Sequence, residues 1–176
     1  VASGFVESLS QPGGNLTGIQ VGGFLPKELE WLLTLDPSIE TVFTPYNPDD
    51  SSATLGWTIL GEEAAVAGIT LITPEVRSAE DVEAAIAAMP ESVDAIFLLT
   101  DSMVLSQLPA FTAVASERGL PVASINQVQV EGGALMGYGP EFFSAGKQSA
   151  RLADQILKGV PPSDLPVETA DFFFSV

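Results

Sequence analysis

The side chains that could do chemistry here form a short list, because the chain of 176 residues has no cysteine and no histidine. Disulfides, thiolate nucleophiles, the usual general base and the commonest metal ligand are thereby removed. Carboxylates, hydroxyls, amides and three lysines remain. Their polar clusters fall in three stretches, each just after an apolar run: Tyr46-Asn47-Pro48-Asp49-Asp50-Ser51-Ser52, Thr100-Asp101-Ser102 and Asn126-Gln127. Ser51 or Ser52 is placed to cap a following helix, whose first N–H groups could hold a carboxylate. Asp101, with Thr100 and Ser102 beside it, is suited either to a helix cap or to accepting hydrogen bonds from a ligand ammonium group. Asn126 and Gln127 could read polar ligand edges or simply make a turn.

A second chemistry is written in the same residues. Asp49, Asp50 and Asp101 at strand ends would suit a magnesium-dependent phospho-acceptor or hydrolase on a flavodoxin-like fold. No lysine sits at the end of a later strand to bind a phosphoryl group, which weighs against it. Gly13-Gly14 is followed by no Gly-Lys-Ser pattern, so a nucleotide loop is not expected. The reading that fits best is a binder: not an enzyme, with no cofactor and no metal.

Composition narrows the partners. With 46% hydrophobic residues the chain can bury a real core. No apolar run approaches the roughly 20 residues of a membrane span. Residues 1–20 lack the basic start of a signal peptide, which says nothing of compartment. A net charge of −17 repels phosphate backbones and anionic lipid, so nucleic acid is excluded as a partner and the charge serves solubility.

These polar stretches need elements to position them, and the chain supplies a β-α rhythm. Phe5, Val6 and Leu9 read as a short helix tail. A helix opening at Pro26 carries Leu29, Leu32 and Leu33 and stops near Asp36-Pro37. Strands follow at 41–44, 69–72, 95–99 and 122–125. The helices between them run from Ser52 to Ala67 (Leu55, Ile59 and Ala64 inward), from Ser78 to Met89, and from Met103 to Arg118 (Val104, Leu108, Phe111 and Ala115 inward). A strand at 134–138 and a helix from Phe142 to Lys158 close the pattern, the helix with an apolar face of Phe143, Gly146, Ala150, Ala153 and Leu157. Phe172-Phe173-Phe174 reads as a last apolar strand. Trp31 and Trp57 read as packing residues. Strands alternating with helices predict an α/β fold with a doubly wound parallel sheet, the strands at 41–44, 69–73, 95–99 and 122–125 being neighbours. In such sheets ligands bind at the carboxyl ends of the strands, where all three polar stretches lie.

The motifs Gln11-Pro12-Gly13-Gly14-Asn15-Leu16-Thr17-Gly18, Tyr46-Asn47-Pro48, Thr100-Asp101-Ser102, Leu120-Pro121-Val122 and Gly132-Gly133-Ala134-Leu135-Met136-Gly137-Tyr138-Gly139 occur in a fixed order. With Ile156-Leu157-Lys158-Gly159 and Pro161-Pro162 they resemble, along nearly the whole chain, the substrate-binding proteins of ABC importers of the tryptophan/tyrosine type. The resemblance implies a type I periplasmic-binding-protein-like lobe, a Rossmann-like three-layer sandwich. It implies capture of a small amino-acid-like solute, possibly aromatic, between two lobes, an ABC permease as partner, and a periplasmic or lipoprotein location. Ligand contacts are then expected from Tyr46, Asn47, Ser51, Ser52, Thr100, Asp101, Ser102, Asn126 and Gln127. Family members tend to Thr-Asp-Asn where this chain has Thr100-Asp101-Ser102, which shortens the third side chain's reach. Family members are also roughly twice this size. Residues 1–18 then read as a remnant of the first lobe, 19–131 as the second, ligand-binding lobe, 132–160 as a return segment to the first, and 161–176 as hinge and final strand. An uncovered helix face and an open strand edge point to a homodimer.

Overall fold

The computed structural model describes residues 4–125 and 127–176, so Asn126 lies outside the described residues, as do residues 1–3 of the segment 1–18. In chain order the elements are β1 (Ile19–Gln20), α1 (Leu25–Leu35), β2 (Thr41–Phe43), α2 (Ser51–Ala67), β3 (Thr70–Ile72), α3 (Ala79–Ala87), β4 (Ala95–Phe97), α4 (Ser102–Ser106), α5 (Leu108–Arg118), β5 (Val122–Ser124), α6 (Gln127–Glu131), β6 (Met136–Pro140), α7 (Phe142–Leu157), β7 (Glu168–Thr169) and β8 (Phe172–Ser175). A 3-10 turn at Pro162–Asp164 precedes β7. The chain divides into two compact units, one of Val1–Gly23 with Pro140–Phe172, the other of Phe24–Gly139 with Phe173–Val176.

The larger unit carries a six-stranded sheet in the order β3-β2-β4-β5-β6-β8. The pairs β2–β3, β2–β4, β4–β5 and β5–β6 are all parallel, with Val42 beside Leu71, Phe43 beside Ile96, Phe97 beside Ala123 and Ala123 beside Met136. The four predicted strands are therefore neighbours in a doubly wound α/β sheet. Side chains alternate across the pleat. Phe43, Ile96, Leu98 and Val122 face α3, α4 and α5 in a core shared with Val82, Val104 and Phe111. The opposite face takes Val42, Ala95, Phe97, Leu99 and Ala123, all essentially buried. It is covered by α1 and α2.

Those two helices lie close because small residues separate them. Along α2 the buried positions are Ala53, Gly56, Leu60 and Ala64. A Cβ built at Gly56 would sit 3.4 Å from both Leu25 Cδ1 and Leu99 Cδ2. The spacing reading placed Leu55 inward, but Leu55 is 62% exposed. Apolar residues ring α2 on every side, so periodicity alone misplaces the stripe, and small side chains that permit close approach decide it. The helix stops where Gly68, at φ +76°, turns left-handed.

The single helix expected over 103–118 is two, α4 and α5, parted at Gln107. Pro109 supplies no N–H for the carbonyl of Leu105, and its ring crowds that carbonyl. Val104, Phe111 and Ala115 remain buried on either side of the break. The strand expected at 134–138 pairs with β5 as β6, so the passage out of this sheet follows β6 rather than Gly132-Gly133. Gly139 shows how tightly that strand runs, since an added Cβ would lie 2.0 Å from the carbonyl oxygen of Ile125. Trp31 of α1 stacks on Phe174 of β8, centroids 4.7 Å apart.

In the smaller unit β1 and β7 form a two-stranded parallel pair, Ile19 beside Glu168. Residues 4–18 contain no helix, in contrast to the tail read from Phe5, Val6 and Leu9. Pro12 and the turn at Gly13, φ +77°, hold them irregular, with Glu7 N–H donating to the Pro12 carbonyl at 2.9 Å. Helix α7 buries Ala145 and Leu152, with Gln148 half-buried between them. The face read as core, from Phe143 to Leu157, is the exposed one: Phe143 is 72% and Leu157 87% accessible. Among the described residues no helix is long and apolar enough to cross a membrane.

The Gly139 contact is directly testable. Gly139→Ala forces a methyl against backbone that has no rotamer to yield, and should cost about 2–3 kcal/mol in urea denaturation. A variant of wild-type stability would show that β6 does not approach β5 in this way.

Candidate functional site

Three loops leave the carboxyl ends of β2, β4 and β5, and parallel strands send all three to the same sheet edge. The first loop is fastened to the end of β3: Tyr46 N–H donates to the Pro74 carbonyl at 3.2 Å and Val76 N–H to the Tyr46 carbonyl at 3.0 Å. Asn47 then closes an Asx turn, its side-chain oxygen accepting from Asp49 N–H at 3.0 Å. The residue that caps α2 is Asp50, which accepts from the N–H groups of Ser52 (2.7 Å) and Ala53 (3.1 Å). This corrects the expectation that Ser51 or Ser52 is the cap and that the first-turn N–H groups are open to an anion. Ser51 is already the first helical residue, so Asp50 holds the cap position, where its carboxylate also suits the helix N-terminus.

Asp101 occupies the centre of the arrangement and is 1% exposed. Its Oδ1 accepts from Met103 N–H (3.0 Å) and Val104 N–H (3.1 Å), which starts α4. Its Oδ2 accepts from Asn47 N–H at 2.7 Å, across 54 residues of sequence. The alternative of an ammonium reader gives way to this one: Asp101 faces inward and spends its charge on three backbone donors. It positions the first two loops against each other.

What faces solvent at this edge is a set of hydroxyls. Ser51, Ser52, Thr100 and Ser102 are exposed, and their hydroxyls make no hydrogen bond to the described residues. In the third loop Ser124 Oγ donates to Gln129 Oε1, which also accepts from Ile125 N–H at 3.2 Å, so that loop is held from α6. Gln127 is exposed at the start of α6 and its amide donates to Glu131 at 3.3 Å. Gln127, read with Asn126 as a possible turn, instead opens the short helix α6, whose Gln129 is buried.

The aromatic surface differs from expectation as well. Tyr46 is 7% exposed because Trp57, from the second turn of α2, lies over it with centroids 5.2 Å apart and planes 11° from parallel. Trp57 is thus the accessible ring of the pair. Arg77 contributes the cation at this corner, pairing with Asp49 at 3.3 Å and Glu75 at 3.1 Å. The three aspartates of the magnesium reading are engaged separately: Asp49 by Arg77, Asp50 by α2, and Asp101 by three amides. Among the described residues no group of three acids converges on one point.

A family model described as ABC transporter substrate binding protein matches residues 1–176. The tyrosine-binding protein of Clostridioides difficile strain R20291 is 28% identical over 171 residues, covering 97% of this chain and 50% of that protein. A conserved domain protein from Vibrio cholerae O1 biovar eltor superposes with TM-score 0.84 at 28% identity, over 97% of this chain and 58% of its own. The ABC domain from Streptococcus pneumonia, solved in complex with L-Trp, superposes with TM-score 0.77 at 26% identity, over 93% of this chain and 57% of its own. The chain spans about half the length of the tyrosine-binding relative. A parallel sheet of periplasmic-binding-protein type I form, the ordered motifs and a match to the family model over residues 1–176 lead to one conclusion: the chain belongs to the ABC transporter substrate-binding protein family.

Proposed function

We propose that this chain binds a small amino-acid-like solute at the strand-end edge of its larger unit, as part of an extracytoplasmic binding protein that delivers the solute to an ABC permease. The observation that carries the reading is the division of labour at that edge. Asp50 and Asp101 satisfy backbone donors, while the hydroxyls of Ser51, Ser52, Thr100 and Ser102 stay exposed and uncommitted. Hydroxyls can donate to a ligand carboxylate and accept from its ammonium group, so one set of residues serves both ends of an amino acid. Asn47, Gln127 and Asn126 complete the donor set in this proposal, and Tyr46 and Trp57 supply an aromatic wall. An aromatic solute is supported by the relatives, one described as tyrosine-binding and one solved with L-Trp. The larger unit, Phe24–Gly139 with Phe173–Val176, is the proposed ligand lobe, and the smaller unit belongs in this proposal to the other lobe and the hinge. A periplasmic or surface-lipoprotein setting follows from the same reading. The net charge of −17 opposes nucleic acid as a partner.

The exposed apolar surface of the smaller unit adds a partner of its own kind. Phe143 and Leu157 of α7 are exposed, and Phe5, Leu9, Leu16, Ile19 and Val167 line a groove of about 730 Å³. We propose that this chain, on its own, covers that surface by pairing with a second copy. Multi-angle light scattering should show a dimer that Phe143→Ser together with Leu157→Ser returns to monomer; a clean monomer at high concentration removes the proposal.

Isothermal titration tests the solute. L-tryptophan or L-tyrosine should give binding heat, whereas ribose, or magnesium with acetyl phosphate, should give none. Heat from magnesium and the phosphodonor alone would replace the reading with the hydrolase alternative.

Two variants separate contact from positioning. Thr100→Ala should weaken solute binding and leave stability within about 0.5 kcal/mol, as for an exposed side chain without partners. Asp101→Asn should lower stability by about 1.5–3 kcal/mol, because a buried carboxylate that accepts from three backbone N–H groups is lost, and should weaken binding with it. Full affinity in Asp101→Asn would show that the first two loops hold their places without this carboxylate.

A further inference from the structure

Glu28 is the fourth residue of α1, it is fully buried, and neither of its carboxylate oxygens meets a hydrogen-bond donor. It stands on the helix face of Leu25, Leu29 and Leu32, all buried with it. Opposite lie the small and apolar residues of α2, namely Ala53, Gly56, Leu60 and Ala64. Beneath lies the sheet face of Val42, Phe97, Leu99 and Ala123, together with Thr44, whose buried hydroxyl is also without a partner.

The charges near enough to matter are held elsewhere. On α1 itself Lys27 pairs with Glu30 at 2.6 Å on the exposed side. On α2 the acids are Glu62 and Glu63, outside its buried stripe. Of the strands, β2, β4, β5 and β8 carry no ionisable side chain, and β6 carries Tyr138, on the same sheet face as Ala123 and Met136. An ionised Glu28 would therefore sit in an apolar layer with no cation to offset it, a state that costs far more than the neutral acid. Burial accordingly pushes the Glu28 carboxyl well above its ordinary value.

We propose that Glu28 is a proton-dependent latch: α1 stays docked on the sheet while Glu28 holds its proton, and its docking weakens as Glu28 ionises. The effect reaches the strand-end loops through α2, which packs on α1 and begins at the Asp50 cap. The latch concerns the fold alone and stands whether or not the solute reading holds.

The sign of the pH dependence follows from linkage. Below the ordinary carboxyl value of 4.5 the folded and unfolded chains both hold the proton, and Glu28 adds no pH dependence. As pH rises past that value the unfolded chain releases its proton while the folded chain keeps it. Stability then falls with pH until the raised folded-state value is reached, and above it the contribution is constant. In this window the unfolding constant of the wild type rises about tenfold per pH unit relative to a chain without the group.

Urea denaturation of the wild type, Glu28→Gln and Glu28→Met between pH 4 and pH 9 reads this directly. The slope decides the matter, since each variant has its own fixed packing offset. The ratio of the wild-type to the variant unfolding constant should grow about tenfold per pH unit above the ordinary carboxyl value and then level off. Hydrogen exchange, corrected for the intrinsic pH dependence, should show α1 amides losing protection with rising pH before those of α5. Parallel stability curves for wild type and variants would overturn the latch, and so would protection lost in α1 and α5 together. Failure of both variants to fold at any pH would also overturn it, by showing that the carboxyl has a partner the latch does without.

Discussion

One carboxylate holds the strand-end edge together. Asp101 sits where β4 gives way to α4, and its two oxygens take three backbone N–H groups drawn from two loops that are 54 residues apart in sequence. A buried charge is tolerated only when its hydrogen-bonding capacity is filled, and here donors from α4 and from Asn47 fill it. The rest of the edge leans on that bond. Asn47 N–H is fixed by Asp101, the Asn47 side chain turns the loop toward Asp50, and Asp50 starts α2. Each acid orients the backbone that presents the next polar residue. The hydroxyls are thus carried on a frame whose backbone is already fixed by these bonds.

The frame is largely legible in the sequence. Four short apolar runs separated by helical stretches point to a parallel sheet with right-handed crossovers, although its strand order is read only from the pairing. Gly68 and Gly119 ended helices as they should, both left-handed at φ +76° and +70°. Leu55 and Phe143 read as buried because they are apolar, yet helix packing here is ruled by how close two backbones can come. Gly56 against Leu25 and Leu99, and Ala145 against its unit, win those positions on size. Sequence hydrophobicity measures what a residue gains by burial and says little about which residue the neighbour has room for.

The candidate edge is legible in the sequence as a cluster of strand-end loops, and the roles of its residues only partly. Strand-end loops are identifiable from polar residues after apolar runs, but whether Asp50 or Ser51 caps α2, and whether Asp101 faces in or out, depends on donors contributed by other loops. Asn47 N–H, the deciding partner of Asp101, is invisible from the Thr100-Asp101-Ser102 stretch itself. Trp57 escaped for a related reason. It lies eleven residues after Tyr46, on a helix that folds back over its own loop, so the stack at 5.2 Å is a product of the β-loop-α turn rather than of any local pattern.

Glu28 and Asp101 together show what burial does to the same functional group in two settings. Both are essentially inaccessible, at 0% and 1%. Asp101 is ringed by amide donors and serves as a structural anchor. Glu28 is surrounded by Leu and Ala side chains and Gly56, and burial there favours the neutral acid. The free energy that distinguishes them lies in the second partner of each contact, not in the carboxylate. A chain carrying 23 acidic residues and 6 basic ones has few cations to spare for its interior. It must therefore neutralise a buried acid with backbone N–H groups, as at the strand ends, or with a proton, as under α1. The first solution fixes the backbone of two strand-end loops. The second makes the α1–sheet layer the part of the fold where acidity of the surroundings is felt.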